Sequence, residues 1–357
     1  MILSDLHLQN VRNYMHLDLE LHPQLNLFVG PNAQGKTNIL EAIYFLATTR
    51  SHRTRTEKEL IQWGEKSLTI TGNVQKSTTT VPLELSLDAK GRHVKVNHLP
   101  ENRLADYIGQ LKAILFAPEN LELVKGAPAV RRRFLDMEIG QTHPTYIYDL
   151  LRYNHTLHER NALLKNEQDS IDPVLLDVLD TQLLEHGTKI IATRKAFLAQ
   201  LSELATAIHK ELTHDSETLN LNYLPRVESD FAQELKDRRK VDLIRHQTTI
   251  GPHRDDFSFI SNTINLADFG SQGQQRTAAL SIKLAEIELI HKESGEYPIL
   301  LLDDVLSELD NTRQLDLLAT ALNKTQTFLT TTTLEHLKNL PKALQIYNVA
   351  SGSLTLA

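Results

Sequence analysis

Cysteine is absent from the 357-residue sequence. Disulfide frameworks, thiol catalysis, iron–sulfur clusters and Cys-based zinc sites are therefore excluded, and a reducing compartment is compatible with the composition. Basic charge is not in excess. Lys+Arg number 38 against 45 Asp+Glu, a net charge of −7. A wholesale basic coat is ruled out, while a local basic patch is not, because binding follows the distribution of charge as well as its sum. Aromatic residues are scarce at 6%, with one tryptophan. Long hydrophobic runs are missing too. The most apolar stretches, residues 113–116 and 299–302, are strand-sized, far short of the ~18 residues a membrane span needs. Met1-Ile2-Leu3-Ser4-Asp5 carries an acid where a signal peptide carries Lys or Arg, so a cytoplasmic location is expected. What is present, 41% hydrophobic and 23% charged residues, is an ordinary globular balance for one large domain or two smaller ones.

Periodicity divides the chain. Leu17, Leu19 and Leu21 alternate with polar residues, and residues 25–29 form a short apolar strand. Ile39, Leu40, Ile43 and Leu46 then follow helical spacing. Alternation returns at Leu68, Ile70 and Val74 and again from Val81 to Leu87, with a turn at Asp88-Ala89-Lys90-Gly91, which predicts an antiparallel β patch. Residues 145–213 read as two amphipathic helices broken at 165–170, a helix hairpin. Strand-like alternation resumes at Phe257 and Phe259, then a helix from Gly273, an apolar strand at 299–302 and an α/β finish. The expected organisation is 1–118, 119–250 and 251–357: one lobe in two pieces around a helical lobe.

Gly30-Pro31-Asn32-Ala33-Gln34-Gly35-Lys36-Thr37 matches GxxxxGK[ST] between an apolar strand and a helix. Glycines let such a loop wrap a phosphate with its N–H groups, and the helix that follows adds its positive end. Lys36 is expected on the β- and γ-phosphates of ATP and Thr37 on Mg²⁺. A second apolar strand ends in Asp303-Asp304. A buried parallel strand delivers its last residues to the sheet edge where ligands sit. Asp303 is expected to hold Mg²⁺, and Asp304 to orient or deprotonate an attacking water.

Asp303-Asp304-Val305-Leu306-Ser307-Glu308-Leu309-Asp310 resembles the Walker B and D-loop of ABC-type ATPases, and Gly270-Ser271-Gln272-Gly273-Gln274 resembles their signature. Ser271 and Gln274 also have the spacing of a capping box, so the segment reads equally as a well-capped helix. Residues 114–119, 125–126, 131–136, 251–256 and 271–276, with the opening Leu8-Gln9-Asn10-Val11-Arg12-Asn13-Tyr14, resemble the RecF family of bacterial recombination mediators, relatives of SMC proteins. The fold implied is α/β: an ABC/SMC-type P-loop ATPase head with an antiparallel β patch and an inserted helical lobe. The function implied is ATP and Mg²⁺ binding, an ATP-dependent homodimer, duplex and gapped DNA binding, and work with RecO and RecR to load RecA in DNA repair. In that architecture Ser271, Gly273 and Gln274 cap the nucleotide of a second copy and Asp310 lies at the same junction. Glu119 takes the Q-loop place. For Arg12, beside Asn13, phosphate contact and a surface arginine remain equal alternatives.

The departures concern turnover. Thr330 to Thr333 stand where ABC proteins carry a His, and a Thr hydroxyl cannot become a cation. Asp304 is one methylene shorter than the usual Glu. Slow, switch-like hydrolysis is expected. Arg50, Arg53 and Arg55, interleaved with Ser and Thr, are candidate contacts to the DNA backbone. Arg131-Arg132-Arg133 is a less specific candidate for nucleotide, DNA or structural support. The block 252–256 reads as a rigid turn whose Arg254 and acids pair internally. A transporter nucleotide-binding subunit and a non-hydrolysing DNA scaffold are the competing functions.

Overall fold

The computed structural model describes residues 1–54, 56–165, 172–227, 229–304, 324–333 and 343–357. Two compact units emerge, Met1–Asn120 with Glu286–Ala357, and Leu121–Ala285.

The first unit begins with β1 (Ile2–Leu3), β2 (Asp5–Val11), β3 (Tyr14–Glu20) and β4 (Leu25–Val29), followed by α1 (Lys36–Thr48). After α1 come β5 (Leu68–Gln75), β6 (Thr80–Asp88), β7 (Gly91–Val96), β8 (Leu99–Pro100), the one-turn α2 (Leu104–Tyr107) and β9 (Ala113–Phe116). The strands before and after β4 pair in the order β3-β2-β5-β6-β7-β8, with β1 also on β5. This is the antiparallel patch that the alternation predicts. Leu6, Leu8, Ile70, Leu83 and Leu85 sit on its buried face, as period-2 patterning requires.

The second unit holds α3 (Leu121–Lys125), α4 (Pro128–Gly140), α5 (Pro144–Leu164), α6 (Pro173–Leu212), β10 (Leu219–Leu224), α7 (Phe231–Arg245), β11 (Asp256–Ser261), β12 (Ile264–Asn265) and α8 (Leu266–Phe269). The helix α9 (Gln272–Ser294) begins in this unit and ends in the first. The hairpin α5–α6 matches the predicted helical stretch. Each helix starts on a proline, which tolerates the first helical turn because its missing N–H would have no partner there. Asp172 caps α6 by accepting from Val174 N.

The motif order groups residues 251–285 with the ATPase lobe, whereas they pack with the helical unit. The cause is a non-local strand pair: β11 runs antiparallel to β10 from Leu219↔Ser261 to Leu224↔Asp256. No local periodicity encodes that partner choice.

The chain closes with β13 (Ile299–Asp303), β14 (Thr327–Thr331), β15 (Leu344–Ala350) and β16 (Ser353–Leu356). Their sheet has the order β16-β15-β4-β14-β13-β9 among the described residues. All pairs are parallel except β15–β16. Residues 299–302 and Phe328 are fully buried, and α1 is buried along almost its whole length. The sheet core therefore reads as continuous apolar runs.

A buried ion network secures the helical unit. Arg160, fully buried on α5, donates to Asp180 on α6 (2.6 Å), Asp242 on α7 (2.8 Å) and Thr248 (2.9 Å). One guanidinium thus ties three helices. Arg160→Ala leaves the buried Asp242 without a cation and Asp180 with Arg239 alone, and is expected to cost about 3–5 kcal/mol. Chemical unfolding followed by circular dichroism measures it; a loss under about 1 kcal/mol contradicts the account.

Candidate nucleotide site

The site forms where the carboxyl ends of four parallel strands come level. Asp303 lies opposite Thr330, Thr330 opposite Phe28, and Leu302 opposite Phe116. In register, β4 delivers residues 30–35, β13 delivers Asp303 and Asp304, β14 ends in Thr330 and Thr331, and β9 leads to Glu119. Ligands of open α/β sheets bind at this edge.

The phosphate loop is shaped from both sides. A Cβ on Gly30 would lie 2.3 Å from the Val349 carbonyl oxygen, so only glycine fits. Gly35 has φ +117°, and its Cβ would lie 2.5 Å from Asn13 Nδ2. Asn13 donates to the Gln34 carbonyl (3.1 Å) and accepts from Asn38 Nδ2 (2.7 Å); Tyr14 donates to the Gly35 carbonyl (3.1 Å). From the opposite side Ser351 N donates to Gln34 Oε1 (2.7 Å) and Gly352 N to the Gln34 carbonyl (3.2 Å). Pro31, Asn32 and Ala33 form the exposed crest.

Lys36 is buried at the start of α1. Its Nζ donates to the carbonyls of Gly30 (2.5 Å) and Pro31 (2.8 Å), spanning the loop. Burial pushes its pKa down, opposed by Asp304 and Asp303. An anion bound in the loop would favour the ammonium form. Thr37 Oγ1 and Thr330 Oγ1 both donate to Asp303 Oδ1, at 2.9 and 2.8 Å, and Thr330 Oγ1 accepts from Asp304 N at 2.9 Å. Thr330, the first of the four threonines that stand where ABC proteins carry a His, thus holds the Asp303 carboxyl and the Asp304 backbone N–H. Burial raises the Asp303 pKa, outweighing the hydrogen bonds from Thr330 and Thr37; nearby Glu119 raises it further. Asp304 has φ +50°, so β13 stops there and the chain turns. The Thr37 hydroxyl and Asp303 carboxylate are hard oxygen donors at one point, which fits Mg²⁺.

Arg12 is an ion-pair residue. It forks onto Glu41 of α1, Nε to Oε2 at 3.0 Å and NH2 to Oε1 at 2.9 Å, and donates to the Glu59 carbonyl at 2.8 Å. Glu41 is fully buried, and Ser51 also donates to it. Burial alone would raise the Glu41 pKa, but the Arg12 and Ser51 hydrogen bonds hold it below the usual carboxylate range. Arg53 reaches Asn38 Oδ1 (2.9 Å) and Glu41 (3.5 Å), and Arg50 is exposed in the turn after α1. Arg55 and Asp310 lie outside the described residues.

In the second unit, Ser271 and Gln274 form the reciprocal cap of α9. Ser271 N donates to Gln274 Oε1 (3.0 Å) and Gln274 N to Ser271 Oγ (3.2 Å). Ser271 and Gly273 are exposed, and a Cβ on Gly273 would meet nothing closer than Ser271 Oγ at 3.9 Å. The block 252–256 pairs differently from expectation. Asp256 takes Arg131 in a fork (2.6 and 2.9 Å), Asp255 accepts from Tyr223 and from Arg226 N, and Arg254 donates to Gln247. These partners come from α4, β10 and neighbouring loops, because β11 is threaded among them. Arg131 is consequently structural. Burial lowers the His253 pKa to about 4, and Tyr153 contacts its Nδ1 at 2.7 Å. The tryptophan, Trp63, is 99% exposed, whereas Tyr107 is buried and donates to the Leu46 carbonyl.

Sequence reasoning passed over Tyr14, Gln34's partners Ser351 and Gly352, Asn38 and Glu41. Glu41 carried a signal: an acid inside the apolar run Ile39-Leu40-Glu41-Ala42-Ile43 needs a buried cation. The other contacts join segments far apart in sequence and left none.

A raised Asp303 pKa makes its ionised form a cost to the folded state: the contribution favourable to folding is full at acid pH and is lost as pH rises through the folded pKa. Asp303→Asn is therefore expected to raise the melting temperature of the nucleotide-free protein at neutral pH. The same change should weaken Mg²⁺-dependent nucleotide affinity by about tenfold or more, the loss of a charged hard ligand. Thermal melting and fluorescent-nucleotide titration with and without Mg²⁺ test both; a lower melting temperature with unchanged Mg²⁺ dependence contradicts the assignment.

The family model described as RecF/RecN/SMC N terminal domain matches residues 2–355. The DNA replication and repair protein RecF of Lactococcus lactis subsp. cremoris (strain MG1363) is 62% identical over 354 residues, 99% of each chain. RecF of Streptococcus gordonii (strain Challis) is 51% identical over 362 residues, 99% of this chain and 100% of the relative. Among solved structures, a recombination mediator protein RecF with ATP, from the RecFOR pathway, superposes with TM-score 0.92 at 33% identity, covering 100% of this chain and 97% of the other. An Smc head bound to the C-winged helix domain of ScpA, at TM-score 0.57 and 13% identity, shares the fold.

Proposed function

The chain belongs to the RecF/RecN/SMC family as a RecF member, and from that premise we propose that it is a DNA-binding repair mediator switched by ATP. Two copies enclose two nucleotides. Each copy offers its phosphate loop, Lys36, Thr37 and Asp303, and receives from its mate the capped start of α9 with Ser271, Gly273 and Gln274. The observation that carries this is the reciprocal Ser271–Gln274 cap: it uses the side chains on two donors and presents an exposed helix N-terminus, suited to a γ-phosphate, in the unit that lacks the phosphate loop.

Thr37 and Asp303 would hold Mg²⁺, which would supply positive charge to offset that of the nucleotide's phosphates. Lys36 exchanges its two carbonyl partners for phosphate oxygens. Asp304 orients the attacking water and takes its proton, and Glu119 borders the same edge. Turnover is slow because Thr330 stays neutral and is committed to Asp303 and the Asp304 N–H. Loss of the γ-phosphate removes the charge that α9 of the mate engages, and the pair opens. Arg50, Arg53 and Arg55 contact the backbone of duplex DNA next to a gap. Arg53 reaches the phosphate-loop helix through Asn38 and Glu41, so the DNA contact and the nucleotide share one helix. RecO and RecR are the partners for loading RecA, and the cytoplasm is the setting.

Asp304→Asn is expected to keep ATP affinity, slow hydrolysis by about 10²-fold or more, and hold the dimer on duplex DNA. Single-turnover quench and sedimentation with duplex measure these. A variant that hydrolyses like the parent, or that hydrolyses slowly yet dissociates at the parent's pace, contradicts the switch.

A further inference from the structure

The start of α9 does not stand alone. Its Gln274 side chain is held by Glu217, in the turn between α6 and β10: Gln274 Nε2 donates to Glu217 Oε1 at 3.2 Å. The other oxygen of the same carboxylate, Oε2, lies 3.6 Å from His209 Nε2 on α6 and accepts from Ser261 Oγ of β11 at 3.4 Å. His209 is fully buried near the end of α6, and its Nδ1 meets Ser281 Oγ on α9 at 2.9 Å. Ser281 in turn donates to the Thr277 carbonyl one turn back. So α9 is gripped at two heights, at Gln274 through Glu217 and at Ser281 through His209, and both grips lead to the last turns of the hairpin helix.

We propose that Glu217 is the positioning residue of the nucleotide cap, fixing Gln274, and with it the first turn of α9, against the end of the hairpin helix α6. The inference rests on the reading that Ser271 and Gln274 cap a mate's nucleotide. Glu217 does not touch nucleotide; it acts through Gln274. The physical need is plain. Ser271 and Gln274 use their side chains on each other's backbone, and the first turn of a helix has few tertiary bonds to hold its angle. The Gln274 Oε1 atom serves the cap while its Nε2 group serves Glu217, so one amide sets both the capping and the direction of the turn. A cap meant for a ligand on another molecule gains from being held before the ligand arrives. Hydrogen bonds to a charged acceptor are the stronger kind, which suits a half-exposed anchor.

The test is a double-mutant cycle on ATP-dependent dimerisation, read by sedimentation at saturating ATP and Mg²⁺. Glu217→Ala and Gln274→Ala are each expected to weaken the dimer about tenfold or more, and the double variant little beyond either single one. Glu217→Gln, which keeps an acceptor for Gln274 Nε2, is expected to recover most of the loss. Fluorescent-ATP affinity of the dilute monomer should stay within about twofold for Glu217→Ala, since the phosphate loop lies in the other unit. Amide exchange at residues 272–275 should quicken in Glu217→Ala with the core of the unit unchanged. Additive losses, or a Glu217→Ala dimer as tight as the parent's, overturn the proposal. So does general loss of protection across the unit in both Glu217 variants, because it makes Glu217 a folding residue. Ser271→Arg separates the two levels. If that variant dimerises with ATP like the parent, the capping reading itself fails; if it is monomeric while Glu217→Ala dimerises normally, only the present inference fails.

Discussion

Two threonine hydroxyls converge on one buried carboxylate oxygen, Asp303 Oδ1, and the nucleotide site depends on that junction. Thr37 brings the phosphate-loop helix to it and Thr330 the neighbouring strand. Asp303 itself ends β13, a strand buried along its whole length. The carboxyl is raised in pKa by its burial, so the folded state holds it at a cost. Such a cost is expected of a group kept for a cation rather than for packing. Thr330 also receives the Asp304 N–H, and a single hydroxyl therefore fixes both the Asp303 carboxyl and the Asp304 backbone. A shift of one residue in the β13–β14 register would replace Thr330 at this point and scatter the site.

Much of this was legible because it is local. The phosphate loop, the apolar strands on either side of it, the acidic strand end and the helix hairpin are each written in a short run of sequence. Steric need confirms the glycines: Gly30 meets the Val349 carbonyl and Gly35 takes a left-handed backbone. The capping box at Ser271 and Gln274 was equally readable, since its partners are three residues apart.

What escaped was long-range. The β10–β11 pair gathers residues 251–285 into the helical unit, and the acids of that segment find Arg131, Tyr223 and the Arg226 N–H rather than their neighbour Arg254. Arg12, a candidate for phosphate, is bound to Glu41, and Glu41 gathers Ser51 and Arg53 as well. Buried charge needs a counter-charge, but pattern alone does not say which one. The loop supports from Tyr14 and from Ser351 and Gly352 join opposite ends of the chain across the sheet. Tertiary pairing, not propensity, selected each of these.

The division of the chain gives the proposed mechanism its form. The phosphate loop, Lys36, Thr37 and Asp303 lie in one compact unit and the exposed, capped start of α9 in the other. Two broken sites are then repaired by pairing complementary defects. A Lys36→Ala copy lacks the loop cation but keeps its cap; a Ser271→Arg copy has the converse. The most direct measurement is sedimentation of each variant alone and of their equimolar mixture, with ATP and Mg²⁺. One whole composite site exists only in the mixed pair, so the mixture should form dimers while each variant alone stays monomeric. A mixture that sediments as the sum of two monomers contradicts the shared site.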